Sequence, residues 1–309
     1  GEVHGVAVRA DQTLCLGAMK RGLMAPLAAS LVGRRHLIEI GLTEEAWAAH
    51  ASELGWNDPA EIRELLPRRA AGDHKGRSGH VLVVGSSMTY PGAGILCARG
   101  AMRGGAGVVS MAMPTFYLAA AVAALPEAIP FAREPFSDPE WRERLAGMDA
   151  VDLGPGLGAG PDERQLCRWM LHHARGPLVV DADALNFMGL VEETRFAEGR
   201  SVVLTPHPGE MARLCGVSVA EVQADREGYA TWLATRSGAV VILKGAGSLV
   251  ADPDGRLYLN TTGGPLLASA GTGDVLAGLV AALLAQGLEA LAAARSAVFL
   301  HGAAADRLS

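Results

Sequence analysis

The sequence has few of the features that mark metal-binding, secreted, nucleic-acid-binding or membrane proteins. Only four cysteines occur among 309 residues, and none stands in a CxxC or Cys/His spacing, so neither a zinc site nor a disulfide framework is expected. The formal net charge is -6 and no basic block occurs, which argues against a nucleic-acid partner. Apolar runs end at glycine or charge before reaching membrane-spanning length. With no signal peptide visible, we expect a cytoplasmic protein without a membrane partner.

Two common nucleotide-binding motifs are also missing. The P-loop pattern GxxxxGK[ST] occurs nowhere in the chain. The glycine loop at residues 154–158 (GPGLG) follows an apolar run, but no acidic residue stands at the offset that a GxGxxG dinucleotide site requires. A bound nucleotide would therefore be held by a different kind of loop. We interpret the glycine loop as a wall that a substrate can approach closely.

What the sequence does contain is typical of an α/β protein. Hydrophobic residues make up 50% of the chain, which also has 39 glycines and only 5% aromatic residues, a composition that provides ample material for a core. From His80 onward, apolar strands alternate with helical segments, which predicts a mostly parallel central sheet with helices on both faces. Residues 248–260 differ, because an Asp-Gly pair between two apolar runs predicts an antiparallel hairpin.

The sequence pattern divides the chain into three parts. Residues 1–42 hold short alternating strands that cannot build a core alone. They are either an extension packed on the main domain or the tail of a separate upstream domain. Residues 43–77 are a linker with helical content, including a helix predicted over 43–56 from its threonine cap and early glutamates. Residues 78–309 form the main domain.

Polar and glycine-rich sequences follow the predicted strands of the main domain directly. They read GSS, GPGLG, DADALN, TPHPGE and LKGAGS. Because ligands bind at the carboxyl ends of strands in open α/β sheets, we expect these loops to converge on one site. In the last loop, Lys244 is either an edge lysine beside a turn or a cation that faces a phosphate.

Two of these loops each allow two interpretations. The carboxylates of Asp181 and Asp183 either cap a helix that begins near Ala184 or contact a substrate or a hydrated Mg²⁺. In TPHPGE, two prolines fix the direction of His207. His207 is either an exposed side chain in a rigid loop before a helix or, as we favour, a substrate contact.

The most informative stretch covers residues 260–287. Gly271, Thr272 and Gly273 precede a long apolar helix, whose unpaired amides and dipole predict an anion hole. Asp274 stands in the first turn, where it either stabilises the helix dipole or acts as a catalytic base. A base at this position could take a proton from a hydroxyl while the neighbouring amides hold a phosphate. The converging loops favour the base.

In this order, the motifs YPGA, GPGLG, DADALN, TPHPGE, LKGAGS and AGTGDVLAG resemble those of the ADP-dependent NAD(P)H-hydrate dehydratase family. That family belongs to the ribokinase-like superfamily, and the resemblance covers the chain from His80 to its end. It implies a ribokinase-like fold, the hydrated cofactors NADHX and NADPHX as substrates, and ADP and Mg²⁺ as co-substrate and cofactor. The implied reaction restores NADH or NADPH while ADP becomes AMP and phosphate.

The resemblance also assigns roles to residues. It implies that the hydrated-cofactor site is lined by Ala93, Gly156, His207 and Asp274. It implies that the adenine-nucleotide site is lined by Lys244, Gly245, Ala246, Gly247, Ser248 and Gly273. Asp274 is implied to be the base that deprotonates the hydroxyl of the hydrated ring. No residue is assigned as a metal ligand.

A second resemblance concerns the start of the chain. Residues 3–23 resemble the closing strands of an NAD(P)HX epimerase domain, so residues 1–42 are expected to be its C-terminal remnant, without epimerase activity. Three positions of the dehydratase motifs depart from the family. Gly85-Ser86-Ser87 stands for Gly-Gly-Ser, Ser248 for Thr, and Gly264 for the Asn before Pro265. The change at Gly264 removes an amide that could contact a ligand.

Two other functions remain open on the sequence. A ribokinase-like ATP-dependent kinase of a small alcohol would use the same aspartate and anion hole, although the YPGA and TPHPGE loops argue against it. A nucleotide-binding module without catalytic activity would bind ADP but not turn it over. The Ala/Leu-rich helices could also pack subunits together, so we expect a homo-oligomer, with a tetramer as one candidate.

Overall fold

The computed structural model describes residues 5–25, 28–43, 45–46, 52–68, 72, 75–189 and 195–308. The chain divides into two compact units, Gly1–Trp56 and Asn57–Ser309. This boundary lies inside the predicted linker, so the second half of that segment belongs to the larger unit. Of the helix predicted over 43–56, residues 44 and 47–51 lie outside the described residues, and residues 45–46 are helical. Its end, Leu54–Trp56, is a strand instead, because Gly55 disfavours a helix and Trp56 favours a strand.

The smaller unit contains a two-stranded parallel sheet. Strand β1 (Gln12–Leu16) pairs with β2 (Arg34–Ile38), and the short helices α1 (Arg21–Met24) and α2 (Ala29–Val32) connect them. Strand β3 (Leu54–Trp56) ends the unit. The assignment of residues 1–42 as an epimerase remnant stays a prediction.

The larger unit begins with a segment that is tied to its last helix. Helix α3 (Pro59–Leu65) starts after Asp58, whose Oδ1 accepts a hydrogen bond of 2.7 Å from the Ala60 amide. The buried Asn57 accepts a bond of 3.0 Å from Arg295 Nε, and Arg295 Nη2 also contacts Glu61 Oε2 at 2.6 Å. These contacts integrate residues 57–65 into the larger unit.

The strands of the larger unit lie in one mostly parallel sheet. They are β4 (His80–Val84), β5 (Val108–Met113), β6 (Ile129–Ala132), β7 (Ala150–Leu153), β8 (Leu178–Val180), β9 (Val202–Leu204), β10 (Val240–Leu243), β11 (Leu249–Ala251) and β12 (Leu257–Leu259). Their spatial order is β12-β11-β10-β9-β8-β7-β4-β5-β6. Only the pairs β10–β11 and β11–β12 are antiparallel among the described pairs of these strands. The predicted sheet and the predicted hairpin are both confirmed.

Helices alternate with the strands and pack around the sheet. They are α4 (Ala93–Arg103), α5 (Leu118–Ala124), α6 (Asp138–Ala146), α7 (Pro161–His173), α8 (Asp183–Phe187), α9 (Pro208–Cys215), α10 (Val219–Ala224), α11 (Arg226–Ser237), α12 (Thr272–Ala285) and α13 (Ala290–Asp306). In the part of the chain that the structure describes, no helix has the length and hydropathy of a membrane span.

Helix α12 is the most buried of the helices that the site uses, and it packs closely against α4. A Cβ at Gly278 would lie 1.9 Å from the Cys97 carbonyl oxygen, and one at Gly100 would lie 2.3 Å from the Val275 carbonyl oxygen. Only glycine permits this approach of the two backbones. The apolar side chains of α12 pack on Val81, Val179 and other residues of the core. This packing fixes the position of the first turn of the helix.

The strand order places the ends of five strands beside one crevice. The chain runs outward from β4 to β5 and β6, then returns to β7 on the other side of β4. In open α/β sheets, such a reversal leaves a crevice at the carboxyl ends of the strands. The loops after β4, β7, β8, β9 and β10 carry the motifs GSS, GPGLG, DAD, TPHP and KGAGS.

The contact between α4 and α12 can be tested by substituting Gly278 with Ala. The added Cβ would overlap the Cys97 carbonyl, so we expect the free energy of unfolding to fall by about 1–3 kcal/mol, measured by urea titration with circular dichroism. Gly147→Ala is the control, because Gly147 has a φ of -99° and no atom within 4 Å of an added Cβ. Equal stabilities of the two variants would contradict the close helix contact.

Candidate active site

Asp274 lies in the first turn of α12 but does not cap it. The helix begins after Gly271, whose φ of 89° is in the left-handed region, and no side chain makes a capping hydrogen bond there. The partly buried Asp274 carboxylate makes no hydrogen bond with a described residue. The first amides of a helix lack intrahelical acceptors. The geometry therefore leaves both the carboxylate and the neighbouring amides available to a ligand.

A buried ion pair faces this helix start. Lys244, which follows β10, has its Nζ 2.8 Å from Oδ1 of Asp181, which follows β8. Thr205 Oγ1 donates a bond of 2.6 Å to the same oxygen. Asp181 is 1% exposed, so the hydroxyl and the ammonium compensate the loss of its hydration. The pair fixes the direction of the lysine side chain.

Lys244 also approaches the helix that carries Asp274. A Cβ added to Gly273 would lie 3.5 Å from Lys244 Nζ. The ammonium and the amino-terminal end of α12 are therefore neighbours, and both favour a negative charge. A phosphate group bound here would receive the ammonium from one side and the backbone amides from the other.

His207 and Glu210 complete the border of the ion pair. The ring Nδ1 of His207 accepts bonds from the amides of Gly209 (2.9 Å) and Glu210 (3.3 Å), while Glu210 Oε2 accepts from the His207 amide at 2.7 Å. This capping box starts α9. Glu210 Oε2 also lies 3.8 Å from Lys244 Nζ. His207 is thus a helix cap, whose side chain is 51% exposed.

The carboxylates and the lysine shift one another's proton affinity. The Asp274 pKa is raised to about 7, and burial is the largest cause. The charges of Asp181 and Asp183 also raise it, and together they outweigh Lys244, which lowers it. Burial opposes the Lys244 cation, but Asp181 and Glu210 outweigh that effect and raise its pKa. Burial raises the Glu210 pKa. A carboxyl with a pKa near neutrality can both accept and release a proton at physiological pH.

The chain reaches this arrangement through a strained turn after β8. Ala182 has φ 49° and ψ -120°, a conformation that costs a residue with a Cβ about 1–3 kcal/mol. It separates the side chains of Asp181 and Asp183, and Oδ2 of Asp183 accepts a bond of 2.9 Å from the Gly158 amide. Helix α8 has no side-chain cap, so the capping interpretation of this motif is wrong.

The loop after β10 has an unusual backbone held from behind. Gly245 and Gly247 have φ values of 147° and 65°, and Ser248 Oγ donates to the Gly245 carbonyl at 3.2 Å. Arg226 donates to the carbonyls of Leu243, Lys244 and Ala246 at 3.2, 3.4 and 2.9 Å. With its carbonyl groups occupied by Arg226, the loop has a defined shape that a nucleotide can contact.

The structure brings Ala93 and Gly156 into direct contact. A Cβ at Gly156 would lie 2.7 Å from the Cβ atoms of both Ala93 and Tyr90, and Gly156 has a φ of 59°. Ala93 begins α4, and Gly156 lies in the loop between β7 and α7. The two residues predicted to form one wall of the substrate site are therefore neighbours.

The remaining predicted residues lie around the start of α12. Thr272 Oγ1 donates to the carbonyls of Leu267 and Ser269, both at 2.9 Å, and its amide donates a long bond of 3.4 Å to the Ser269 carbonyl, so its hydroxyl is already used and an anion would compete for its amide. Gly264 precedes a short 3₁₀ helix, Pro265–Leu267, and has no atom within 4 Å of an added Cβ. There is space at Gly264 for the side chain that the family usually has there.

The sequence identifies only part of what holds the site together. Asp181 is one of two acids in DADALN with a capping or a ligand-binding interpretation, and Glu210 at the end of TPHPGE has no assigned role. Arg226 lies inside a long helical segment and has none either. The first two could have been found, because each follows a neighbouring strand at the expected crevice. Arg226 gave no such signal.

No described group of three or more His, Cys, Asp and Glu side chains has the arrangement of a metal site. The acids around Lys244 still provide oxygen donors, the ligand type that Mg²⁺ prefers. An ion that arrives with nucleotide phosphates needs only one or two protein carboxylates.

Comparisons with known proteins agree on one family. A family model described as NAD(P)H-hydrate dehydratase matches residues 81–309. An ADP-dependent (S)-NAD(P)H-hydrate dehydratase from Neisseria meningitidis is 41% identical over 78% of this chain and 81% of its own length. A bifunctional NAD(P)H-hydrate repair enzyme from Moorella thermoacetica is 40% identical over 99% of this chain. The chain spans only 59% of that relative.

Solved structures support the same grouping. An ADP/ATP-dependent NAD(P)H-hydrate dehydratase from Bacillus subtilis, co-crystallised with ATP and Mg²⁺, has a TM-score of 0.72 and 34% identity, covering 83% of this chain and 90% of its own. A ribokinase-like superfamily protein from Enterococcus faecalis has a TM-score of 0.75 at 24% identity, covering 84% and 89%. The predicted ribokinase-like α/β fold is confirmed.

The raised pKa of Asp274 predicts a dependence of stability on pH. Because the folded state binds this proton more tightly, the ionised carboxylate costs stability above pH 3.8, with the full cost present above about pH 7. Asp274→Asn removes that cost. We therefore expect its free energy of unfolding to rise relative to the wild type between pH 4 and pH 8 by up to about 4 kcal/mol.

Urea titrations at several pH values measure this difference. Asp162→Asn, at an exposed acid in the first turn of α7, is the control. Its free energy of unfolding should not rise relative to the wild type over this pH range. A constant difference between wild type and Asp274→Asn across the range would contradict the shifted pKa.

Proposed function

Because the chain belongs to the NAD(P)H-hydrate dehydratase family, we propose that it converts hydrated NADH or NADPH and ADP into the intact dinucleotide, AMP and phosphate. The observation that carries this proposal is the position of Asp274. It makes no hydrogen bond with a described residue at the start of α12, has a pKa of about 7 and lies close enough to Lys244 for that charge to act on it. These are the properties of a base beside a phosphate site.

In this proposal, the nucleotide lies along the loop after β10. The residues Lys244, Gly245, Ala246, Gly247 and Ser248 contact ADP, and Gly273 lies beside its phosphates. Lys244 Nζ and the first amides of α12, from Gly271 to Gly273, hold the terminal phosphate. This is supported by the 3.5 Å separation between Lys244 Nζ and a Cβ built on Gly273 and by the attraction of helix starts for anions.

Asp274 takes the proton from the hydroxyl of the hydrated ring. The hydroxyl oxygen then forms a bond to the terminal phosphorus of ADP, and the bond from that phosphorus to AMP breaks. The ring now carries a phosphate, a much better leaving group than hydroxide. The ring nitrogen supplies the electron pair that expels it. Loss of a proton from the adjacent ring carbon restores the double bond.

The hydrated ring would lie against the wall formed by Ala93 and Gly156. Their close contact leaves a surface of backbone and small side chains, which the ring can approach closely. The charges of Lys244 and Asp181 act on the ring of His207. Since its Nδ1 accepts two backbone bonds and burial lowers its pKa, the neutral ring carries its proton on Nε2. That Nε2 lies 3.4 Å from Glu210 Oε1, so the N–H faces Glu210 and His207 offers the substrate the exposed part of its ring.

Mg²⁺ fits this site as a companion of the nucleotide. The carboxylates of Asp181 and Glu210, beside Lys244, are the residues that would hold it, together with phosphate oxygens. A bound Mg²⁺ would neutralise phosphate charge during transfer. The protein residues orient the phosphate and keep Asp274 free to accept the proton.

The proposal covers the dehydratase reaction alone. The chain spans 59% of the bifunctional repair enzyme from Moorella thermoacetica, and no epimerase activity is proposed for it. The cytoplasmic location and the homo-oligomeric state remain predictions from the sequence.

A direct assay tests the proposed function. The protein is mixed with NADHX, ADP and Mg²⁺, and the return of NADH absorbance is followed. NADH, AMP and phosphate should form in equal amounts. Formation of a stable phosphorylated product would favour a kinase. If no NADH formed with either ADP or ATP, the proposal would be wrong. If ADP then still raised the melting temperature, the chain would be a binding module.

Asp274→Asn should abolish turnover without abolishing nucleotide binding. The amide keeps the shape of the side chain but cannot accept the hydroxyl proton, so we expect the rate to fall by about 10²-fold or more. The shift in melting temperature caused by ADP should persist. Retention of near wild-type turnover would remove Asp274 from the role of base.

The rate should also depend on the ionisation of Asp274. Only the carboxylate can act as the base, so kcat should fall about tenfold per pH unit well below the Asp274 pKa of about 7. ADP binding is measured by calorimetry over the same pH range. This separates the effect of nucleotide ionisation from the effect of Asp274 ionisation. A kcat that stays flat from pH 5 to pH 8 would contradict the assignment.

A further inference from the structure

Ser86 has a backbone conformation that serine rarely adopts. It follows β4, is completely buried and has a φ of 62°. A non-glycine residue in the left-handed region costs about 1–2 kcal/mol. Such strain persists only where the surroundings hold the residue in place, and it often marks a functional region. The contacts of Ser86 show what holds it.

Ser86 connects the loop after β4 to two other loops. Its amide donates a bond of 2.8 Å to the Pro155 carbonyl in the glycine loop after β7. Its Oγ donates to the Pro91 carbonyl at 3.0 Å and accepts from the Gly94 amide at 3.1 Å. One buried residue therefore joins the glycine loop, through its amide, to the turn that begins α4, through its hydroxyl.

Arg133 holds the same junction from the other side. It follows β6, is 8% exposed, and its Nη1 donates to the carbonyls of Gly85 (3.1 Å) and Ser86. Its Nη2 donates to Glu163 Oε1 at 2.6 Å. Glu163 lies in the first turn of α7, which follows the glycine loop. Burying this ion pair costs hydration, so its value lies in the geometry it fixes.

The three tied loops carry the predicted wall of the substrate site. Ala93 lies next to Gly94, whose amide binds Ser86 Oγ. Gly156 follows Pro155, whose carbonyl binds the Ser86 amide. Because a Cβ at Gly156 would stand 2.7 Å from that of Ala93, a small relative shift of the loops would open or close the wall.

We propose that Ser86, Arg133 and Glu163 are positioning residues that set the shape of the hydrated-cofactor site. The inference rests on the proposed function. It makes the recognition of the hydrated nicotinamide ring separable from that of ADP, because the loop after β10 is held by a different arginine, Arg226. None of the three positioning residues is assigned a contact with ADP.

Ser86→Gly isolates the contribution of the hydroxyl. Glycine adopts a φ of 62° without strain, so the backbone can stay while the bonds to Pro91 and Gly94 are lost. Arg133→Met removes both carbonyl contacts and the ion pair but keeps the apolar stem. Glu163→Gln removes the charge and keeps the shape. Arg142→Met is the control, because Arg142 is exposed and its described partners are Asp138 and the ring of Trp169.

The test compares the KM values of the two substrates. We expect Arg133→Met to raise the KM for NADHX about tenfold or more, since sub-ångström to ångström displacements of positioning groups have effects of that size. Ser86→Gly and Glu163→Gln should raise it less. The KM for ADP and the melting-temperature shift caused by ADP should stay within about twofold in all variants. Arg142→Met should change neither KM. Equal rises in both KM values, or an unchanged KM for NADHX, would overturn the inference.

Hydrogen exchange measured by mass spectrometry tests the same inference without activity. In Ser86→Gly, the peptide covering residues 90–94 should exchange faster than in the wild type, and in Arg133→Met the peptide covering residues 154–158 should do so as well. A peptide covering residues 244–248 should be unchanged. Unchanged exchange of residues 90–94 in Ser86→Gly would overturn the inference even if Arg133→Met folded poorly, because Ser86→Gly gives an independent result. Absence of NADH formation by the wild type would instead count against the proposed function.

Discussion

The close packing of α12 on α4 is the constraint on which the site depends. Gly278 and Gly100 let the two backbones meet at distances that any side chain would block, and the apolar body of α12 then packs on the core of the sheet. The first turn cannot move without disturbing that core. Asp274, Gly273 and the free amides are therefore held by packing and not by hydrogen bonds to the loops they face.

The charges around this turn explain how one carboxylate can remain reactive. Lys244 is the cation of the cluster, and Asp181 and Glu210 already compensate it. Asp274 consequently gains little from the lysine, while burial and neighbouring acids hold its pKa at about 7. A phosphate entering such an acidic site relies on the helix amides and on a companion cation as much as on Lys244. The arrangement favours proton acceptance over permanent ion pairing.

Much of the fold was predictable because it rests on local patterns. Alternating apolar strands and helices predicted the mostly parallel sheet, and Asp-Gly between apolar runs predicted the hairpin of β11 and β12. The motifs after the strands predicted where the loops gather. Contacts between distant residues were not predictable, because Arg133 and Glu163 have no periodic signature and meet only in the folded chain. The positive φ values of Ser86 and Ala182 also gave no signal, since neither serine nor alanine is a residue type that indicates a positive φ. The motif around His207 also gave no sign that its ring caps α9.

The separate anchoring of the two halves of the crevice has a consequence for how this fold diversifies. Arg133 secures loops that follow β4 and β7, whereas Arg226 secures the loop that follows β10. The strand order reverses between β4 and β7, and β7 is followed in the sheet by β8, β9 and β10. A lineage could therefore exchange the molecule recognised on one half while the phosphate chemistry on the other half is inherited intact. Divergence among proteins of this architecture would then begin in the loops around Ser86.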